Sequence, residues 1–202
     1  MRWEADVRLA EHTRYRIGGP TPGLGHAEGR TALVEALAGL GGAPYRVLGR
    51  GANLLVSDRG VAERVLVLAG EFGGLRVGGD HIEAGGAAGL PALVGEARRA
   101  AFAGWSFLEA VPGSVGGGLR MNAGSEEVGL WDRVEWVEAI TPDGDTVRLT
   151  ASEARPGYRT VGVPESWIFV GGRFAATAGH AEDVETEHFE RRRTKVETQV
   201  YD

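Results

Sequence analysis

The chain has 202 residues, 43% hydrophobic and 25% charged, with a net charge of −6 and no cysteine. That length and balance fit one large globular domain or two small ones. The acidic charge argues against indiscriminate nucleic-acid binding, and the missing thiols exclude disulfides, thiolate catalysis and cysteine-based metal sites. The 33 glycines are about twice the usual share of roughly 7% and stand in clusters between apolar runs, so they mark tight turns and close backbone approaches. Met1 opens a charged segment with no apolar core behind it, unlike a secretory signal. No apolar run approaches the ~20 residues of a spanning helix. A cytoplasmic protein without membrane contact is expected.

In chain order, Glu28 to Leu40 places Leu33, Ala36, Leu37 and Leu40 at helical spacing, and Gly41-Gly42 ends the pattern. Tyr45 to Leu48 and Arg64 to Ala69 read as strands. A short β-α-β-like unit therefore closes near Gly70, giving a small α/β lobe over residues 1–69. Leu75 to Val77 and His81 to Ala84 form a hairpin about Gly78-Gly79-Asp80. Leu90 to Ala101 is a helix with Leu90, Leu93, Val94, Ala97 and Ala101 on one face. Val134 to Ile140, the turn Pro142 to Asp145, and Thr146 to Leu149 give the strongest hairpin signal. Thr150 and Glu153 have capping-box spacing, and Trp167 to Ala175 is a further strand. These elements make a larger α+β lobe over residues 70–180. The remainder, 181–202, is polar and helix-prone as far as Gln199, with Glu187 and Arg191 an i,i+4 pair and Val184, Phe189 and Val196 its few apolar positions. Val196 to Asp202 carries no stop signal and no closing strand, so the chain reads as a piece of a longer one. The fold class is α+β in two lobes.

Four segments carry chemistry. Thr13 to Pro20 ends in Gly18-Gly19-Pro20. Val47 to Asp58 runs from a strand through Gly49-Arg50-Gly51-Ala52-Asn53 into an apolar stretch expected as a second strand. Gly49 and Gly51 would let successive N–H groups converge on an anion, with Asn53 as a further donor and acceptor; a bare hairpin turn accounts for the same spacing. It is not a dinucleotide fingerprint, since the third glycine and the following helix are missing. Val111 to Ser125 has almost no bulk, so it suits either a glycine-lined nest for a phosphate-bearing cofactor or a tight crossing between lobes. Gly157-Tyr158-Arg159 is either surface or the cleft arginine of an oxyanion site. The five histidines show no metal-ligand spacing, and no metal site is expected.

Together and in this order, the four segments resemble the flavin-dependent UDP-N-acetylenolpyruvoylglucosamine reductases, the MurB family of peptidoglycan synthesis. Thr13 to Gly19 is similar to the family's T-x-(aromatic)-x-(aliphatic)-G-G. Leu48 to Asp58 is similar to L-G-x-G-S/A-N-L-L-V-x-D, Phe107 to Gly124 to F-L-E-x-I-P-G-S-V-G-G-x-x-x-M-N-A-G, and Gly157 to Arg159 to G-Y-R. The resemblance spans Thr13 to Lys195.

It implies the two-lobed FAD-binding fold of the p-cresol methylhydroxylase/vanillyl-alcohol oxidase type. Gly49, Arg50, Gly51, Ala52 and Asn53 would hold the pyrophosphate. Gly113, Ser114, Val115, Gly116, Gly117, Asn122 and Gly124 would line the pyrophosphate and the isoalloxazine. NADPH would be the hydride donor and a UDP-sugar, UDP-N-acetylglucosamine enolpyruvate, the substrate. Arg159 matches the family's catalytic arginine, with Tyr158 as its buttress. Lys195, the only lysine, matches a diphosphate-binding position, though a solvated helix face explains it as well. The departures are Thr160-Val161 where the family has x-Ser, and the absence within these 202 residues of the G-S-x-F-K-N-P segment and of the C-terminal glutamate. The resemblance therefore implies the cofactor portion of a reductase, lacking its substrate-binding third domain. A stand-alone flavin-binding module is the alternative. A carbohydrate oxidase that tethers FAD covalently would have to use one of His12, His26, His81, His180 or His188, none of which lies in a glycine turn.

Overall fold

Two sheets of different construction organise the chain, and one helix is shared between them. The computed structural model describes residues 1–125 and 127–198; the close of the polar tail, residues 199–202, and the Val196 side chain lie outside that set. The elements are β1 (Trp3–Glu4), β2 (Val7–Arg8), β3 (Pro20–Thr21), β4 (Leu24–Ala27), α1 (Arg30–Leu40), β5 (Tyr45–Leu48), β6 (Arg64–Leu68), β7 (Leu75–Val77), β8 (His81–Gly85), α2 (Leu90–Arg99), β9 (Phe102–Ala103), α3 (Val115–Arg120), β10 (Val134–Ile140), β11 (Thr146–Leu149), α4 (Ala151–Ala154), β12 (Ile168–Ala175), β13 (Thr177–Ala178) and α5 (Ala181–Thr198).

The first sheet has the order β1-β4-β6-β5, with β4 and β5 each parallel to β6. The second is antiparallel throughout, in the order β11-β10-β12-β8-β7. Helix α1 buries Leu33, Ala36, Leu37 and Leu40. It starts on Gly29, which has no side chain to cap it; the Glu71 carboxylate instead accepts from Arg30 N at 2.5 Å, and a negative group suits that end. Gly41, at φ 58°, closes the helix in the left-handed conformation.

The buried face of α1 touches both sheets. Leu33, Leu37 and Leu66 pack in one cluster with Ile140, Ile168 and Val170 of the second sheet. On its outer side Arg30 pairs with Glu138 and donates to Thr146 Oγ1 at 3.3 Å. The two lobes thus share a core, which fixes the angle of the gap between them.

The second lobe has its own core, in which α2 lays Leu90, Leu93, Val94 and Ala97 among Ile82, Trp105, Leu119, Trp131 and Phe174. Each fully buried leucine there contributes about 1.5–3 kcal/mol. Helix α4 begins as the spacing indicates, with Thr150 N donating to Glu153 Oε2 at 2.8 Å.

Two expectations are corrected. Residues Leu54 to Val56 form no strand: Leu54 and Leu55 are exposed and only Val56 is buried. The segment is instead part of the crossover that parallel β5 and β6 require. The centre of the glycine run is helix α3. Glu187 accepts from Ser106 Oγ at 2.6 Å in place of an Arg191 pair. Among the described residues no helix is long and apolar enough to cross a membrane.

Candidate functional site

A cleft of about 700 Å³ lies between the lobes. One wall is the end of α1, β5 and the turn after it; the other is Gly86-Ala87, the start of α3 and the start of β12. The volume falls within the ~300–1,000 Å³ usual for cofactor sites. Leu37, Leu40, Ile168 and Phe169 make the walls apolar, while Arg50, Ser114 and Arg120 supply polar edges.

Backbone builds its floor. Val115 N donates to Ala88 O at 2.8 Å and Gly116 N to Gly86 O at 2.8 Å, while Gly86 N donates to Val170 O at 2.8 Å. Three segments therefore lie backbone to backbone. A Cβ on Gly116 would stand 3.0 Å from Phe169 O and 3.1 Å from Gly86 O, so a side chain there would need both backbone segments to give way slightly. Ser114 caps α3, its buried Oγ accepting from Gly117 N at 3.3 Å.

The facing turn comes from the small lobe. A Cβ on Gly49 would fall 2.5 Å from Ser114 Oγ, so the two glycine-rich segments touch at this edge of the cleft. Gly51 needs its φ of +59° to pass His12 O, and its carbonyl accepts from Arg14 N at 2.9 Å, which ties the turn to the Thr13–Pro20 segment. Ala52 is half-buried, and exposed Asn53 accepts from Tyr15 OH at 3.2 Å. Arg50 crosses to the second lobe, where its Nη1 would stand 2.6 Å from a Cβ on Gly89, the residue that starts α2. A guanidinium at the positive end of a helix is an arrangement that an anion between them stabilises.

Of the sequence-predicted residues, Gly49, Arg50, Ser114, Gly116 and Gly117 line the cleft. Val115 is wholly buried in the core behind it. Gly113 O accepts from Leu90 N at 3.0 Å, and Gly124 bridges to Gly129. Asn122 is a tie: Oδ1 accepts from Trp131 N at 3.2 Å and Nδ2 donates to Gly157 O at 3.2 Å. That bond carries the glycine run to Gly157-Tyr158-Arg159. Arg159 has φ +89°, an unusual strain for a residue with a side chain, and its guanidinium carbon lies 5.4 Å from the Tyr158 ring; both side chains are exposed. Lys195 is no solvated helix position, for its Nζ donates to Glu109 O at 2.6 Å.

Sequence reasoning missed Arg120 and Tyr45. Arg120 donates to the carbonyls of Val163, Pro164 and Trp167 at 2.8, 3.1 and 2.6 Å, over the Phe169 ring at 4.8 Å. Burial holds its guanidinium below the ordinary value. Tyr45 OH donates to Ser166 O, so both lobes grip segment 163–167 along the cleft; burial raises the Tyr45 hydroxyl, against the opposing charge of Arg120. The one available signal was that Arg120 is the only charged residue of the run Val111 to Ser125.

A family model described as an FAD binding domain matches residues 28–150. The UDP-N-acetylenolpyruvoylglucosamine reductase of Cereibacter sphaeroides (strain ATCC 17025) is 41% identical over 174 residues, covering 85% of this chain and 56% of that protein. That of Paramagnetospirillum magneticum is 35% identical over 199 residues, covering 98% and 65%. The crystal structure of UDP-N-acetylenolpyruvylglucosamine reductase (MurB) from Thermus caldophilus superposes with a TM-score of 0.88 at 36% identity, over 99% of this chain and 71% of that one. The chain spans 56% to 65% of the length of these curated relatives.

Proposed function

Since the chain belongs to the UDP-N-acetylenolpyruvoylglucosamine reductase family and carries its FAD binding domain, we propose that it is the cofactor-holding portion of a cytoplasmic reductase. The reaction is the NADPH-dependent reduction of UDP-N-acetylglucosamine enolpyruvate to UDP-N-acetylmuramate, a step of peptidoglycan synthesis. The observation that carries this reading is the contact of Gly49 with Ser114 at the edge of a cleft of about 700 Å³, with Arg50 lying against the start of α2.

The residues present fit FAD. The glycine-rich edge leaves room for phosphates, Arg50 offers charge, and the apolar walls suit flat rings. In this reading Gly49, Arg50, Gly51, Ala52 and Asn53 hold the cofactor from the small lobe. Gly113, Ser114, Val115, Gly116, Gly117, Asn122 and Gly124 shape the opposite side, several of them by fixing backbone rather than by direct contact. Bound FAD supplies the two-electron hydride chemistry between NADPH and the enolpyruvyl double bond. The chain's own contribution is position and charge. Arg159 offers a permanent, forked cation to the substrate carboxylate as negative charge develops, with Tyr158 beside it, and Lys195 meets the UDP diphosphate.

The experiment is an anaerobic two-step titration of the FAD-loaded parent protein, of which this chain is the cofactor-holding portion. NADPH is expected to bleach the flavin band, and the enolpyruvyl substrate to restore it. A protein that is bleached but never restored by substrate is a flavin-binding module instead.

A further inference from the structure

The polar cluster beneath α5 stands apart from the cofactor cleft. Glu109 lies two residues ahead of Val111, where the glycine run begins, and is only 5% exposed. Its carboxylate meets His188 Nδ1 at 2.9 Å and accepts from Arg192 Nη2 at 3.2 Å, while its carbonyl accepts from Lys195 Nζ at 2.6 Å. His188, Arg192 and Lys195 are spaced i, i+4, i+7, so one stripe of α5 converges on one residue. Among the described side chains of α5, Val184 is buried and Phe189 is 64% exposed. Further ties are Ser106 to Glu187 at 2.6 Å and Arg98 to Glu185 at 3.2 Å.

We propose that Glu109 is a positioning residue that docks α5 on the body of the protein and thereby fixes the place of Lys195, the cation for a diphosphate-bearing substrate. The identity of that anion rests on the function proposed above; the docking does not. The groups facing Glu109 are His188, Arg192 and Lys195. Burial pushes the Glu109 carboxyl up, but the hydrogen bonds and charges of His188 and Arg192 outweigh it and hold the group below its ordinary value. Burial, then Arg191 and Arg159, hold Lys195 below its ordinary value, while Glu109 opposes them.

Lys195 is the only lysine, so its ¹⁵Nζ resonance is a unique reporter. In the full chain it is expected to titrate below the ordinary lysine value of about 10.4. In Glu109→Ala, a freed helix returns it to that value and speeds amide exchange across 181–198 by at least about ten-fold, with β10 and β12 amides unchanged. If Lys195 stays depressed or falls further, α5 remains docked without the carboxylate and the proposal is overturned. Should Glu109→Ala not fold, Arg192→Ala removes one bond at a half-exposed side chain and is expected to speed α5 exchange several-fold; unchanged exchange there overturns the proposal equally. Inorganic pyrophosphate, followed at the same resonance, separates the two claims. Binding to wild type about ten-fold tighter than to Glu109→Ala supports positioning, and equal binding overturns it. A Lys195 signal that Glu109→Ala releases but pyrophosphate never perturbs leaves the docking standing and defeats the diphosphate reading.

Discussion

The start of α3 and the length of α5 lie on either side of Glu109, and they are fastened by opposite means. At α3, Val115 N and Gly116 N donate to the carbonyls of Ala88 and Gly86, both at 2.8 Å, and small residues allow that approach. At α5, the bonds to Glu109 and Ser106 come from His188, Arg192, Lys195 and Glu187 side chains, several of them charged. Backbone bonds in a close-packed floor depend on volume and are nearly indifferent to pH. Side-chain bonds depend on protonation and tolerate changes of bulk at exposed positions. The cofactor cleft is therefore built on a stiff element, and the helix carrying Lys195 on an adjustable one.

The largest effect is expected in the close-packed floor. A Cβ on Gly86 would stand 2.4 Å from Phe169 O. Gly86→Ala should cost about 2–3 kcal/mol in denaturant unfolding and loosen α3 and β12 together. If its stability matches wild type, the floor is not close-packed. His188→Ala should cost about 2 kcal/mol, confined to α5, because it removes a buried partner of Glu109. Amide exchange that rises equally in α3 would erase the contrast between the two regions.

Acid should separate them next. Burial raises the Glu109 carboxyl, but His188 and Arg192 bring it below its ordinary value. Its stabilisation is thus complete above the unfolded value of about 4.3 and is lost as pH falls through the depressed folded value. Amides of α5 should lose protection in that window before those of α3, and Glu109→Gln should abolish the difference. Smallest is Phe189→Ser: at 64% exposure the ring should be dispensable to within about 0.5 kcal/mol in thermal unfolding. A larger loss would mean that α5 docks through apolar contact after all.

Periodicity located α1, α2 and the β10–β11 hairpin because each spans enough residues for its pattern to repeat and ends on a turn or glycine. It failed at Leu54 to Val56, where an apolar run signals burial but only topology decides whether a neighbouring strand exists. The two-residue strands β1, β2 and β3 are too short to show a period. Glycine content identified where backbones approach, yet it could not say that the N–H groups of Val115 and Gly116 are taken by Ala88 and Gly86. Glu109 and His188 are 79 positions apart and were invisible as a pair, since charge patterning along a chain reports neighbours on one helix and not partners across the fold.

The central claim is that the cleft lined by Gly49 and Ser114 takes FAD. Equilibrium titration of the purified chain with FAD, followed by flavin absorbance and fluorescence, tests it most directly, with Gly49→Val as the variant that narrows the cleft edge. Saturable binding of one FAD per chain, weakened at least about ten-fold by Gly49→Val, a loss of about 1.4 kcal/mol, is the predicted result. A chain that binds no flavin, or binds it equally well with valine at position 49, would contradict the account.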